Sequence, residues 1–145
     1  MKKIILMLVA VAFCMSAAAQ GVNFVEGKTL SEVEAQAQAE GKLVFVDCYT
    51  EWCGPCKMMA TREFVKKEAG DYFNAKFVNF KIDMEKGEGP QVAKQYDVNA
   101  FPTFVVIDPN GKILDIAPGS AGLFKVLEHI PDAELEKKLK EAHNS

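Results

Sequence analysis

Leu43-Val44-Phe45-Val46-Asp47-Cys48-Tyr49-Thr50-Glu51-Trp52-Cys53-Gly54-Pro55-Cys56-Lys57 is the stretch that decides the fold. Its first four residues form an unbroken apolar run, the pattern of a strand covered on both faces. Its far end predicts the start of a helix, because a proline in the first turn loses no needed hydrogen bond. A pair of cysteines separated by Gly54 and Pro55 thus follows a buried strand and opens a helix. Cys53 falls where unpaired backbone N–H groups favour an anion, so its thiol pKa should drop and its reactive thiolate should be populated near neutral pH. Cys56 lies one turn along, close enough for its sulfur to reach back. Such a pair can cycle between dithiol and disulfide with little backbone movement. The competing readings are half of a zinc site and an inert structural bridge. Zinc needs two more ligands, and the only histidines, His129 and His143, lie in the C-terminal helical region, so no metal is expected.

Outward from this stretch the chain alternates helices and strands. Thr29–Glu32 and Ser31–Glu34 both look like capping boxes. Leu30, Val33 and Ala37 mark one face of the helix that follows, and Gly41 stops it. Pro55 to about Ala69 reads as one helix, with Met58, Met59, Phe64 and Val65 as its apolar positions. Phe77–Asp83 is the next strand, and Pro90 opens a short helix through Tyr96. Thr103–Ile107 and Ile113–Ile116 flank Asp108-Pro109-Asn110-Gly111, a turn signal that makes them a hairpin. Leu123, Val126, Leu127 and Ile130 recur at helical spacing, and the tail from Asp132 carries i, i+4 Glu–Lys pairs. Strands alternating with helices, then a hairpin, give an α/β fold with a sheet sandwiched by helices.

The whole chain has 145 residues, 49% hydrophobic and 26% charged, which fits one globular domain. With 17 basic and 20 acidic residues and no basic cluster, nucleic acid and anionic membrane are not expected partners. Lys2 and Lys3, the apolar run Ile4–Met15 and Ser16-Ala17-Ala18-Ala19 have the three parts of a secretory signal peptide. The expected cut follows Ala19. It leaves a single domain at 20–145, with its core at about 29–130 and a helical tail at 131–145. A lipidated Cys14 and a buried N-terminal helix are the competing readings of that segment. Removal of residues 1–19 takes two lysines and no acid, moving the net charge from −3 to −5. The protein is expected to be exported, periplasmic or secreted, where disulfides persist.

Tyr49–Met59, with Trp52-Cys53-Gly54-Pro55-Cys56-Lys57 at its centre, resembles the active site of the thioredoxin family. The resemblance runs from about Thr29 to Ile130. Val46-Asp47 is similar to the family's strand ending in a buried acid, Ala100-Phe101-Pro102-Thr103 to its cis-proline loop, and Gly119 to the glycine after its last strand. The lead-in Ala39-Glu40-Gly41-Lys42 is more like exported members than cytoplasmic ones. A bare C-x-x-C is a weak signal; W-C-G-P-C-K at a strand–helix junction, with a proline loop downstream, is a strong one.

The resemblance implies a thioredoxin fold, a central mixed β-sheet sandwiched by helices, and a thiol–disulfide oxidoreductase. It implies that Cys53 attacks a substrate disulfide and that Cys56, the more buried sulfur, resolves the mixed disulfide. Asp47 would be a buried proton acceptor or relay with a raised pKa. Pro102 would lie opposite the sulfurs, with backbone that pairs with substrate as an added strand. Trp52, Gly54, Pro55 and Phe101 complete the expected substrate surface. The Gly-Pro insert resembles reducing members, so reduction of protein or peptide disulfides is expected, with electrons from a membrane thiol-reductant donor. An oxidase or isomerase, and a non-catalytic peptide-binding module, are the alternatives. No dissociable cofactor is implied, and a monomer is expected. Cys48 is expected to be an inert small hydrophobe, with regulatory pairing to Cys53 or Cys56 as the minor reading. Lys57 should solvate the helix surface.

The pattern departs from the family at four places. Members often carry a lysine near the buried acid; the matching position is Asn79, with Lys81 two residues on and facing the same side. Thr61 stands where many members have a kinking proline, so a straighter helix is expected. Phe101 is bulkier than the usual residue before the proline. The Met84–Gly89 loop is longer than in short members and could affect partner choice.

Overall fold

The computed structural model of the protein describes residues 21–120. The proposed signal peptide, Cys14, the Leu123–Ile130 helix, the tail, and both histidines lie outside the described residues. Along the chain come β1 (Phe24–Val25), α1 (Leu30–Glu40), β2 (Leu43–Tyr49), α2 (Gly54–Met58), α3 (Lys67–Lys76), β3 (Phe77–Asp83), α4 (Gly89–Gln95), β4 (Thr103–Ile107) and β5 (Ile113–Pro118). The five strands form one mixed sheet in the order β1-β3-β2-β4-β5. β1 and β2 run parallel to β3, β4 runs antiparallel to β2, and β5 returns from β4 as the expected hairpin. Parallel neighbours need a crossover, and α2 with α3 supplies it between β2 and β3.

Local chemistry sets the ends of α1. Glu32 N–H donates to Thr29 Oγ1 at 3.2 Å, and Thr29 N–H donates to Glu32 Oε2 at 2.7 Å, a reciprocal box. Ser31–Glu34 is not a second one. Ser31 lies inside α1, and the Glu34 carboxylate sits against Gly111. Gly41 ends α1 with φ +66°, a left-handed conformation in which a side chain would be strained.

β2 has helices on both sides, which is why its apolar run does not alternate. Val44, Val46 and Cys48 pack with Leu30, Val33 and Ala37 of α1 and Val92 of α4. Leu43 and Phe45 face the other way, into a cluster with Met59, Phe64, Phe73, Phe77 and Phe104. Phe45 lies between five rings, those of Phe24, Phe64, Phe73, Phe77 and Phe104, with centroids 4.6–6.5 Å away.

The expected single helix from Pro55 to Ala69 is instead three pieces. After α2 comes one π-helical turn, Met59–Glu63, in which Phe64 N–H reaches back five residues to the Met59 carbonyl at 2.9 Å. Lys66 is then extended, and α3 begins. The wide turn delivers Met59 and Phe64 to the aromatic core, while Met58 and Val65 stay exposed. Thr61 lies within that turn, its hydroxyl donating to the Lys57 carbonyl at 2.8 Å. Absence of proline has therefore not left a regular helix. Sequence reading also missed α3 and β1. Only Gly70 and Phe73 of α3 are buried, and β1 has two residues, so neither carries a usable period.

Candidate active site

β2 ends at Tyr49, and the chain turns through Thr50–Trp52 before α2 begins. Cys53 caps α2 from outside, with extended backbone (φ −74°, ψ 109°) and its sulfur accepting a hydrogen bond from Cys56 N–H at 3.2 Å. Cys53 and Cys56 are disulfide-bonded, with Cα atoms 5.3 Å apart. Gly54 and Pro55 lie exposed between them, and Pro55 occupies the first turn, as expected. The expectation that Cys56 is the more buried is not met: both cysteines are buried, Cys53 at 3% exposed and Cys56 at 6%. A cavity of about 210 Å³ lies on the Cys56 side, lined by Tyr49, Thr50, Glu51, Lys57, Ala60 and Lys81 along with Cys56 itself.

β4 brings the proline loop to the sheet beside β2. The Phe101–Pro102 peptide bond is cis, and Pro102 is buried. The Pro102 carbonyl accepts from Gly119 N–H at 2.7 Å, which ties the end of β5 to this loop. Gly119 has φ +84°, so a residue without Cβ suits the position. Phe101 meets Trp52 edge to face, with ring centroids 6.0 Å apart. Trp52 is 66% exposed, the most open large apolar side chain among the described residues, and its indole N–H donates to Glu85 Oε1 at 2.9 Å. The Met84–Gly89 loop is thus fastened to the cysteine turn. Met84 N–H donates to the Tyr49 carbonyl at 2.8 Å, and Lys86 pairs with Glu51. Sequence reading named this loop but not Glu85, and no local pattern marks a lone exposed glutamate.

Asp47 lies on β2 on the same face as Phe45, the face that carries α2. It is 2% exposed, and its Oδ1 has no hydrogen-bond partner among the described residues. Burial raises its carboxyl to about 7, and the Lys81 ammonium opposes that rise. The sheet register sets Asp47 directly beside Lys81 and Phe45 beside Asn79. Lys81, not Asn79, is therefore the lysine near the acid. Aligning the starts of the two predicted strands, Leu43 with Phe77, would have found it. The Lys81 ammonium also sits 4.6 Å from the Tyr49 ring centroid, a cation–π contact. Cys48 points to the opposite face, among the α1 and α4 side chains. Its thiol is pushed far above the ordinary range by burial, with Asp47 adding to the effect, so it stays neutral. The sheet separates it from Cys53 and Cys56, against a regulatory pairing. No cluster among the described residues could hold a metal ion.

The thioredoxin family model matches residues 25–130. Thioredoxin-1 of Saccharomyces cerevisiae is 42% identical over 85 residues, 59% of this chain and 75% of its own length. Thioredoxin-T of Drosophila melanogaster is 36% identical over 92 residues, covering 62% of this chain; the match spans only 55% of that longer relative. The solution structure of a protein proposed to be a disulphide-isomerase, from Bacteroides thetaiotaomicron, is similar at a TM-score of 0.69 and 41% identity. The match covers 79% of this chain and 97% of that one.

Proposed function

This chain belongs to the thioredoxin family, and from that premise we propose that it is an exported thiol–disulfide oxidoreductase that reduces protein disulfides through Cys53 and Cys56. The observation that carries the reading is the Cys53–Cys56 bond at the mouth of α2, with its Gly54-Pro55 turn exposed. In the reduced protein the Cys56 N–H is placed to stabilise a Cys53 thiolate. That thiolate attacks a substrate sulfur and forms a mixed disulfide. Cys56 then displaces the reduced substrate and restores the internal bond. Cys56 must lose a proton to do so, and Asp47, with a carboxyl near 7 on the same face, accepts it. Trp52, with the half-buried Phe101 ring at its edge, offers exposed apolar surface for substrate, and the backbone beside Pro102 a place for an added strand.

Capture tests the mechanism and names the substrates together. Cys56→Ser should accumulate mixed disulfides on Cys53, visible by mass spectrometry; no covalent partner on that variant means that Cys53 is not the attacking sulfur. Cys53→Ser should abolish insulin reduction. Export is supported by the pattern of Met1–Ala19, and a mature protein beginning at Gln20 in the periplasmic or secreted fraction is its test. A membrane thiol-reductant donor would supply electrons there. Isomerisation is the second reading, favoured by the description of the Bacteroides neighbour. A reduction potential against glutathione close to that of strong oxidants, together with reactivation of a scrambled disulfide substrate, would select it over reduction.

A further inference from the structure

Trp52 is largely exposed, yet its ring is held by two loops that belong to other strands. Phe101, on the proline loop before β4, meets it edge to face with centroids 6.0 Å apart. Glu85, on the loop after β3, accepts from its indole N–H at 2.9 Å. An indole has one donor and no acceptor, so this bond uses all of its polar capacity. The backbone of Glu85 is itself pinned. Its own N–H donates to Asp83 Oδ1 at 3.0 Å, and the preceding Met84 N–H donates to the Tyr49 carbonyl at 2.8 Å. Lys86 N–H reaches back to the Asp83 carbonyl at 3.2 Å, and Gly89 lies so close to that carbonyl that a Cβ there would come 1.9 Å from it. The Glu85 carboxylate thus projects from a closed turn whose backbone bonds do not involve its side chain. Docking on an exposed ring that is already fixed sacrifices little conformational entropy.

We propose that Glu85 is a positioning residue for protein substrates: its carboxylate fixes the Trp52 indole as a preformed wall of the docking surface, and so sets the affinity for a polypeptide disulfide. This role rests on Cys53 and Cys56 reducing protein disulfides and adds the group that prepares their substrate surface. Glu85 acts through Trp52 and takes no part in the exchange of sulfurs. Without the carboxylate the indole gains rotamers that a protein substrate must restrict again on docking. Binding weakens, and the exchange at Cys53 stays as it was. A small disulfide needs only the sulfurs and loses nothing. The partner of the carboxylate is a neutral N–H, so a glutamine carbonyl can stand in for it. Position and charge are thereby separable. Glu85→Gln keeps the acceptor and loses the charge, Glu85→Ala loses both, and Trp52→Phe keeps a ring but loses the donor.

The test is single-turnover oxidation of the full-length, prereduced protein by excess insulin or by 2-hydroxyethyl disulfide, followed as loss of alkylatable thiol. Glu85→Ala should raise the half-saturating insulin concentration about fivefold, with the limiting rate and the 2-hydroxyethyl disulfide rate kept within about twofold. Glu85→Gln should stay within about twofold of the unaltered protein for both substrates. In a Trp52→Phe background Glu85→Ala should change the insulin value by less than about twofold, because the bond is already gone. The chain has one tryptophan, so a single indole N–H resonance reports on Trp52. That N–H should exchange with water faster in Glu85→Ala and at the original rate in Glu85→Gln. An unchanged half-saturating concentration in Glu85→Ala, an equal rise in Glu85→Gln, or an equal loss with 2-hydroxyethyl disulfide would overturn the proposal. Failure of the underlying redox reading is separate, for it appears as unaltered protein that is inert towards both disulfides.

Discussion

Asp47 and Cys48 are adjacent on β2, both buried, and they face opposite sides of the sheet. Burial raises both pKa values for the same reason, the loss of water around the charged form. The outcomes differ because the starting points differ. The carboxyl starts far below neutrality and arrives at about 7, where it can exchange a proton. The thiol starts above neutrality and is moved out of reach. The surroundings differ too. Cys48 sits among aliphatic side chains of α1 and α4, whereas Asp47 shares the aromatic face and the Lys81 ammonium. One strand thus keeps an inert sulfur on one side and a titratable acid on the other, next to the helix that carries the reactive pair.

The two faces can be weighed by truncation. Phe45→Ala should cost about 3–5 kcal/mol, because one fully buried ring and its contacts with five others are lost. Val46→Ala, its neighbour on the aliphatic face, should cost about 2 kcal/mol. Urea unfolding of both variants checks this, and equal losses would erase the distinction between the faces.

Asp47 sharpens the comparison through pH. Its folded carboxyl titrates at about 7, above the ordinary unfolded value of 3.8. The folded state therefore binds the proton more tightly. Stability is greatest below about pH 4 and declines as pH rises through 7, by a total on the order of 4 kcal/mol from this group. Asp47→Asn should flatten that slope and be the more stable protein at pH 8, by on the order of 3 kcal/mol. In the proposed mechanism it should also lower insulin reduction about 100-fold and remove the limb of the pH–rate profile near 7. Cys48→Ala should do neither. It should cost about 1–2 kcal/mol of packing, leave turnover unchanged, and remove no thiol that alkylates in the native protein.

The smallest effect belongs to the α1 cap. Thr29→Ala removes the side-chain acceptor for the Glu32 N–H while the backbone N–H of the same residue still meets the Glu32 carboxylate, and it should cost about 1 kcal/mol by thermal unfolding, with disulfide exchange unaffected. A change in exchange rate would mean that α1, on the aliphatic face, is coupled to the cysteine turn.

Features carried by neighbouring residues were legible in the chain. The Thr29 box, the Gly41 stop, the apolar β2 run, the Asp108–Gly111 hairpin turn and the Cys53–Cys56 pair each arise from backbone chemistry within a few positions. The π-turn was not legible. Met59 and Phe64 are drawn to rings that the chain supplies from residues 24, 45, 73 and 104, outside any local window.

The amino-acid order alone determined where α1, β2, β3 and β4 begin and which two sulfurs can meet. Those outcomes depend on torsional preference, period and a two-residue gap. Only the assembled sheet decided that Lys81 flanks Asp47, that Glu85 takes the Trp52 indole, and that Cys56 rather than Cys53 opens on a cavity. Each is a contact between segments roughly 30 or more positions apart, or a consequence of one. Register and burial set such contacts, and they exist only once several elements have packed together.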